Sequence, residues 1–365
     1  MLTSNSHIRT LDGWRAVAVF FVLLDHGGDP LLKMLDVDAQ SARHIKETVG
    51  LAGVHLFFAL SGYLITSRML DEERQHGSVN LRQFYLRRLF RIQPAAVFFL
   101  LCAGILGLLG VIKVSTVGWS SSLLGVGNLT SAWQTWSTGH FWSLAVEEHF
   151  YLLWPAAFIV MRRHRLRGAI VLVLAVALWR FIAVKFQLTM SSNFTVRTDI
   201  ASEWLLWGCV ASLAERHQHG AEIVRAMSSR WASLLVVPLV AAAAAIDANW
   251  KVVNMLVSLS ALALPALFLG TVQRPESLLG RLLELPAVAW LGKISFSLYL
   301  WQQLFFTWDA ARSSAMGLLQ SFPVNAVLAV VCAAASFYFI ERPMIDIGRR
   351  FAKRRQGNTT GLAMS

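Results

Sequence analysis

The sequence predicts an all-α protein that crosses a membrane about ten times, and three features of the chain carry that prediction. Of its 365 residues, 56% are hydrophobic and only 15% charged, whereas soluble domains carry about 25% charge. The mean hydropathy is +0.53, and the apolar residues gather into runs of roughly 17 to 25, the length a helix needs to span a hydrocarbon core. The basic residues, finally, are unevenly shared between alternate loops, as the positive-inside rule requires of a polytopic protein.

Taken in order, the runs place spans at 13–28, 50–66, 94–112, 141–161, 168–185, 199–214, 231–247, 252–271, 287–306 and 323–340. The first lacks the early basic region, short apolar core and small-residue cleavage site of a signal peptide, so it reads as a retained helix. Between the second and third lies 67–93, an amphipathic basic segment with Phe84, Tyr85, Leu89 and Phe90. It is expected to lie in the cytoplasmic interface and to end at Pro94, where a helix boundary is favoured. With the N-terminus inside, most of the 33 Lys and Arg fall in inside segments, and an even number of spans puts both termini in the cytoplasm. The formal charge of +12, which in a soluble chain would suggest nucleic acid, is then topology and needs no such partner. One membrane domain, 1–345, is expected, followed by a basic cytoplasmic tail, 346–365, suited to anionic headgroups. Cys102, Cys209 and Cys332 are too scattered for a metal site or disulfide framework and read as buried small hydrophobes.

The first span carries two basic side chains, Arg15 and His26, with ten residues between them. Eleven steps of about 100° make close to three turns, so both face the same way on a helix, about 16 Å apart along its axis. A charge within the bilayer costs about 2.5–3.5 kcal/mol on insertion scales and is rarely retained without a partner or a task. A site is therefore the default reading. Arg88 and Arg91, three apart on a helical face, suit a phosphorylated ligand through their guanidinium forks, although ordinary positive-inside charge explains them as well. In FWSLAVEEHFYLLWP, Glu147 and Tyr151 are four apart and share a face, while Glu148 is turned away by about 100°. Glu147 either contacts the reacting groups or caps a helix start near Ser143. Trp119, Trp133, Trp136, Trp142 and Trp154 read as an interfacial aromatic belt.

Several segments together resemble the acyltransferase 3 family: DGWRAVAVFFVLLDH, GVHLFFALSGYLIT at 53–66, FYLRRLFRIQP at 84–94, FWSLAVEEHFYLLWP at 141–155, LGKISFSLYLW at 291–301 and ERP at 341–343. These are bacterial membrane enzymes related to O-antigen and exopolysaccharide O-acetyltransferases. The resemblance implies transfer of an acyl group, most simply acetyl, from acyl-CoA to a hydroxyl of a cell-surface glycan or its lipid-linked precursor, by a multi-pass protein of the bacterial inner membrane. It carries the family's signatures onto Arg15 and His26, onto Ser61 and Gly62 of the LSG segment, and onto Arg88 and Arg91, with the His catalytic and the arginines linked to the CoA donor. Acyl transfer needs a base for the acceptor hydroxyl, and His is suited by its pKa; a direct base role and an acyl-imidazole both remain open. Glu147 is expected to orient His26 or to touch the acceptor, with Ser143 and Tyr151 alongside, and Arg15 to serve the anionic donor or to pair with Asp12. Asp25 adjoins His26 but points elsewhere on a regular helix.

The chain departs from the family at His55, where many members have Asp, and at Gln302, where many have His; both are expected to line the acceptor or transfer path. Members that acetylate sugars often carry a fused extracytoplasmic hydrolase-like domain, for which these 365 residues leave no room. A small-molecule acceptor such as a macrolide is the nearest alternative, and a proton-coupled secondary transporter the rival from another class. A metal is not expected, and a homo-oligomer is compatible with the sequence.

Overall fold

A computed structural model describes residues 8–27, 34–130, 135–186, 196–217, 250–307 and 312–361, with 188, 220–222 and 226. The expected span at 231–247 and Trp133 lie outside the described residues. Every regular element among the described residues is helical. They are α1 (Arg9–Gly27), α2 (Ala39–His76), α3 (Leu81–Leu108), α4 (Thr116–Leu123), α5 (Trp136–Gly139), α6 (Phe141–Val160), α7 (Arg165–Lys185), α8 (Thr198–Glu215), α9 (Trp250–Val272), α10 (Leu278–Leu283), α11 (Pro286–Phe305), α12 (Val324–Ser336) and α13 (Arg342–Gly361). A π-helical turn, Phe337–Glu341, joins the last two.

Four helices are long and apolar enough to cross a membrane on those grounds alone: α2, α3, α7 and the continuous Val324–Phe351. The helices that fall short include those that carry the polar residues of interest. Helix α1 holds Asp12, Arg15, Asp25 and His26, and α6 holds Glu147, Glu148 and His149. Both turn polar residues into the bundle, while α7 exposes Val171, Leu174 and Leu178 on its outside, the surface that lipid covers.

Helix α2 is 38 residues long, or about 57 Å at 1.5 Å per residue, nearly twice a hydrocarbon core. Asp38 begins it by accepting from the Gln40 and Ser41 amides, and Gly77, in the left-handed conformation, ends it with its amide on the Glu73 carbonyl. The expected interfacial connector is thereby divided. Residues 67–76 continue α2 beyond the membrane core, and 81–93 are continuous with the third span. The expected boundary at Pro94 is absent, because Phe84, Ile92, Ala95 and Phe99 form one buried face on both sides of the proline. Packing of that face outweighs the one backbone hydrogen bond a proline removes.

The centre of the bundle is α1 against α2 and α11, with α2 also against α8 and α11 against α12. Two glycines permit the closest approaches. A Cβ at Gly62 would lie 1.9 Å from the Leu205 carbonyl oxygen of α8, and one at Gly292 of α11 would lie 1.8 Å from the Asp12 carbonyl oxygen of α1. Gly62 thus sits at a helix crossing, where Cys209 also donates to its carbonyl. Helix α13 lies against α3, with Phe351 stacked on Phe90 at 5.9 Å, so the basic C-terminal segment begins as a packed helix. The π-turn buries Glu341, which accepts from Ser297 of α11 at 2.9 Å.

Candidate active site

Five helices contribute to one cavity, which holds about 710 Å³ of empty space partly open to solvent. Its polar lining is Arg15 from α1, Ser61 from α2, Arg88 and Arg91 from α3, Ser143, Glu147 and Tyr151 from α6, and Ser295 and Tyr299 from α11. Ser143, Glu147 and Tyr151 stand at successive i, i+4 positions, so a regular helix delivers all three to one face. Seven positions that the sequence nominates therefore converge here: Arg15, Ser61, Arg88, Arg91, Ser143, Glu147 and Tyr151.

Their partners define how they are held. Glu147 accepts from Ser61 Oγ at 2.8 Å on one carboxylate oxygen and from Tyr151 OH at 2.9 Å on the other. The Arg88 guanidinium lies over the Tyr151 ring, 4.6 Å from its centroid, so the aromatic ring sits between an anion and a cation. Arg15 Nη1 is 3.7 Å from the buried Asp12 carboxylate, so it pairs with Asp12, and it also lines the cavity. Glu148 faces away and accepts from Gln93 of α3.

A second cavity of about 350 Å³ adjoins the first through Arg88 and Arg91, which line both. Arg68, Arg87 and Glu72 complete its polar wall beside Ile65, Met69 and Phe84. Arg87 is neutralised by Glu72 at 2.7 Å. Arg68, Arg88 and Arg91 have no carboxylate among the described residues within ion-pairing distance. Three guanidinium groups around one opening have the chemistry suited to an anion, because each fork offers bidentate contacts to a phosphate. Arg68 is hard to single out in the sequence, since it sits about two turns beyond Ser61 among other basic residues; its i, i+7 relation to Ser61 on α2 is the available signal.

His26 lies apart from this cavity, near the end of α1. Its Nδ1 is 2.7 Å from Gln302 Oε1. The Gln302 amide nitrogen is committed to Gln303 Oε1 at 2.8 Å, so its oxygen faces the imidazole and can only accept. Nδ1 therefore carries the proton, and Nε2 keeps its lone pair. Gln303 in turn donates to the Trp136 carbonyl at 2.7 Å, Trp136 Nε1 donates to the Gln303 carbonyl at 2.9 Å, and the indole stands edge-on to His26 at 4.8 Å. Asp25 Oδ2 is 3.8 Å from Nε2. Asp25 and His26, adjacent near the end of α1, thus come within ion-pairing distance of each other.

Two expectations are corrected here. Glu147 does not orient His26, because both of its oxygens are engaged by Ser61 and Tyr151; Gln302 occupies that place. Trp154 does not belong to an interfacial belt, since it is buried and donates to Thr66 at 3.0 Å. His55 lines neither cavity and stacks on Trp204 of α8, 3.5 Å between centroids, within reach of the buried Arg180–Glu203 ion pair.

The profile of the acyltransferase domain family matches residues 8–342, which takes in every cavity residue. The chain is 24% identical over 367 residues to a peptidoglycan O-acetyltransferase, OatA, of Listeria monocytogenes, with 93% of this chain and 56% of that protein covered. It is 26% identical over 371 residues to the O-acetyltransferase OatA of Staphylococcus aureus, with 93% of this chain and 58% of that protein covered. The chain thus spans little more than half the length of these relatives. No solved structure matches it.

Proposed function

This chain belongs to the acyltransferase domain family, and on that premise we propose that it is an O-acyltransferase that takes an acetyl group from acetyl-CoA on the cytoplasmic side of the inner membrane. The acceptor is a hydroxyl of a cell-surface glycan or its lipid-linked precursor. The observation that carries this reading is the convergence of Arg15, Arg88 and Arg91 on a cavity at one end of the same helix that ends in His26. Ten spans with both termini inside, as the distribution of Lys and Arg favours, would open that cavity to the cytoplasm.

In this reading Arg68, Arg88 and Arg91 take the phosphates of the donor, and Arg15, held by Asp12, neutralises the charge that remains. The acceptor hydroxyl gives its proton to His26 Nε2 as its oxygen attacks the thioester carbonyl. The C–S bond then breaks, the ester forms, and the proton on Nε2 passes to the departing thiolate, giving free CoA. Gln302 holds the reactive tautomer, and Asp25, 3.8 Å from Nε2, stabilises the transient imidazolium. Glu147 and Tyr151 shape the donor cavity beside Arg88.

The direct test supplies labelled acetyl-CoA to the purified protein in lipid nanodiscs with glycan fragments in one arm and hydroxylated small molecules such as macrolides in another. Label on the glycan supports the reading. Label confined to the small molecule moves the acceptor, and uptake of a solute without CoA release contradicts the chemistry.

A further inference from the structure

The cavity lining stops at Tyr299 and Ser143, whereas His26 lies beyond, so a polar layer separates the donor end from the base. A second histidine belongs to this layer. His140 is only 4% exposed, and neither ring nitrogen has a hydrogen-bond partner among the described residues. Leaving a buried polar group unpaired is costly, and such groups in native proteins call for a specific explanation.

The surroundings of His140 hold its backbone and ring. Its backbone carbonyl accepts from Tyr299 OH at 3.0 Å and from Ser143 Oγ at 3.1 Å, and those two hydroxyls are 2.7 Å apart. Its ring stands edge-on to Phe141 at 4.8 Å, Phe99 at 5.2 Å and Tyr299 at 5.5 Å. Three aromatic neighbours hold the imidazole in place. The short helix α5 that precedes His140 begins with Trp136, which packs on His26. His140 thus follows directly on the element that packs on the base, while its carbonyl is held by two hydroxyls that line the cavity.

The geometry points to His140 as a hydrogen-bond donor to the carbonyl oxygen of the acyl group where it passes from the cavity toward His26. This rests on the acyl-transfer reading above and adds a residue which that reading does not use. As the hydroxyl adds to the carbonyl, charge develops on that oxygen; a preorganised N–H in a dry site stabilises it, and the oxygen supplies the partner His140 lacks. No proton is transferred to or from His140 in this role.

A binding measurement tests it independently of turnover. S-acetonyl-CoA, which keeps a carbonyl but cannot be cleaved, is compared with S-propyl-CoA, which lacks it, on the full chain in nanodiscs. The wild-type protein is expected to bind the ketone about 10-fold more tightly, His140→Leu to bind both alike, and His140→Gln, which keeps an N–H, to recover part of the preference. His140→Phe, matched to the aromatic surroundings, provides the donorless arm if His140→Leu does not fold. Equal binding of the two analogues by the wild-type protein, or a preference retained in both donorless variants, overturns the assignment. With a wild-type protein that shows the preference but never releases CoA from acetyl-CoA, the transfer reading fails while His140 still binds the carbonyl. In an active enzyme the donorless variants should also lose about 10²–10³-fold in kcat, as removal of one oxyanion donor does, with the KM for acetyl-CoA within about 2-fold.

Discussion

Replacing Gln302 with Met isolates the device that sets the tautomer of His26. The Gln302 oxygen accepts from His26 Nδ1 at 2.7 Å, and Gln302 is fully buried, so the variant leaves a buried N–H without an acceptor. The cost of an unpaired buried donor is about 1–3 kcal/mol. The imidazole avoids that cost by moving its proton to Nε2, which removes the lone pair needed to receive the acceptor's proton. At about 1.36 kcal/mol per factor of ten, kcat should fall roughly 5- to 150-fold. Gln302 does not line either cavity, so the KM for acetyl-CoA should change by less than about 2-fold. Gln302→Glu, which retains an acceptor for Nδ1, should recover most of the loss. The assay is CoA thiol release by the protein in nanodiscs with its glycan acceptor, alongside a thermal melt. Wild-type kcat in Gln302→Met, with an unchanged melt, would refute the tautomer argument.

The remaining predictions bear on the donor site and on packing. Arg88→Lys and Arg91→Lys should each raise the KM for acetyl-CoA by about 10-fold in steady-state kinetics, since a lysine lacks the planar fork. Arg68→Ala should weaken acetyl-CoA binding in titration calorimetry by about 10-fold, consistent with loss of a charged hydrogen bond worth about 1.5 kcal/mol. Gly62→Val should lower the melting temperature, because its side chain enters the space of the Leu205 carbonyl; overpacking of this kind costs about 1–3 kcal/mol. Arg180→Met should destabilise by about 3–5 kcal/mol through the unpaired Glu203 it leaves, while Arg180→Met with Glu203→Leu should recover much of the melting temperature.

Which parts of this protein can be read from its sequence follows from how local their causes are. The helix-period relation of Ser143, Glu147 and Tyr151 is a property of one helix, and the sequence places the three on a common face, where the cavity has them. The apolar runs at 50–66, 168–185 and 323–340 likewise mark helices because lipid imposes length and composition directly. The connector at 67–93 is harder, since its basic residues mask that 67–76 extends α2 and that 81–93 continues through Pro94. That continuity depends on a buried face formed with other helices. The partner of His26 was beyond reach for the same reason: Gln302 is 276 positions away, and an amide is not the residue one seeks beside a base. Asp25 points elsewhere by Cα direction alone, yet its side chain reaches within 3.8 Å of the adjacent imidazole. His140, one residue outside the quoted motif, gives no signal until burial shows both its nitrogens without partners.

The central claim is that donor binding and proton abstraction are divided between the two ends of α1. The most direct measurement determines both acetyl-CoA affinity and CoA release for the wild-type protein, His26→Asn and the Arg88→Ala/Arg91→Ala pair in the same nanodiscs. The account predicts that His26→Asn binds acetyl-CoA within about 3-fold of wild type while its turnover falls by at least about 10²-fold, the scale of general-base catalysis, and that the double arginine variant loses binding. Undiminished turnover in His26→Asn, or undiminished binding in the arginine pair, would contradict it.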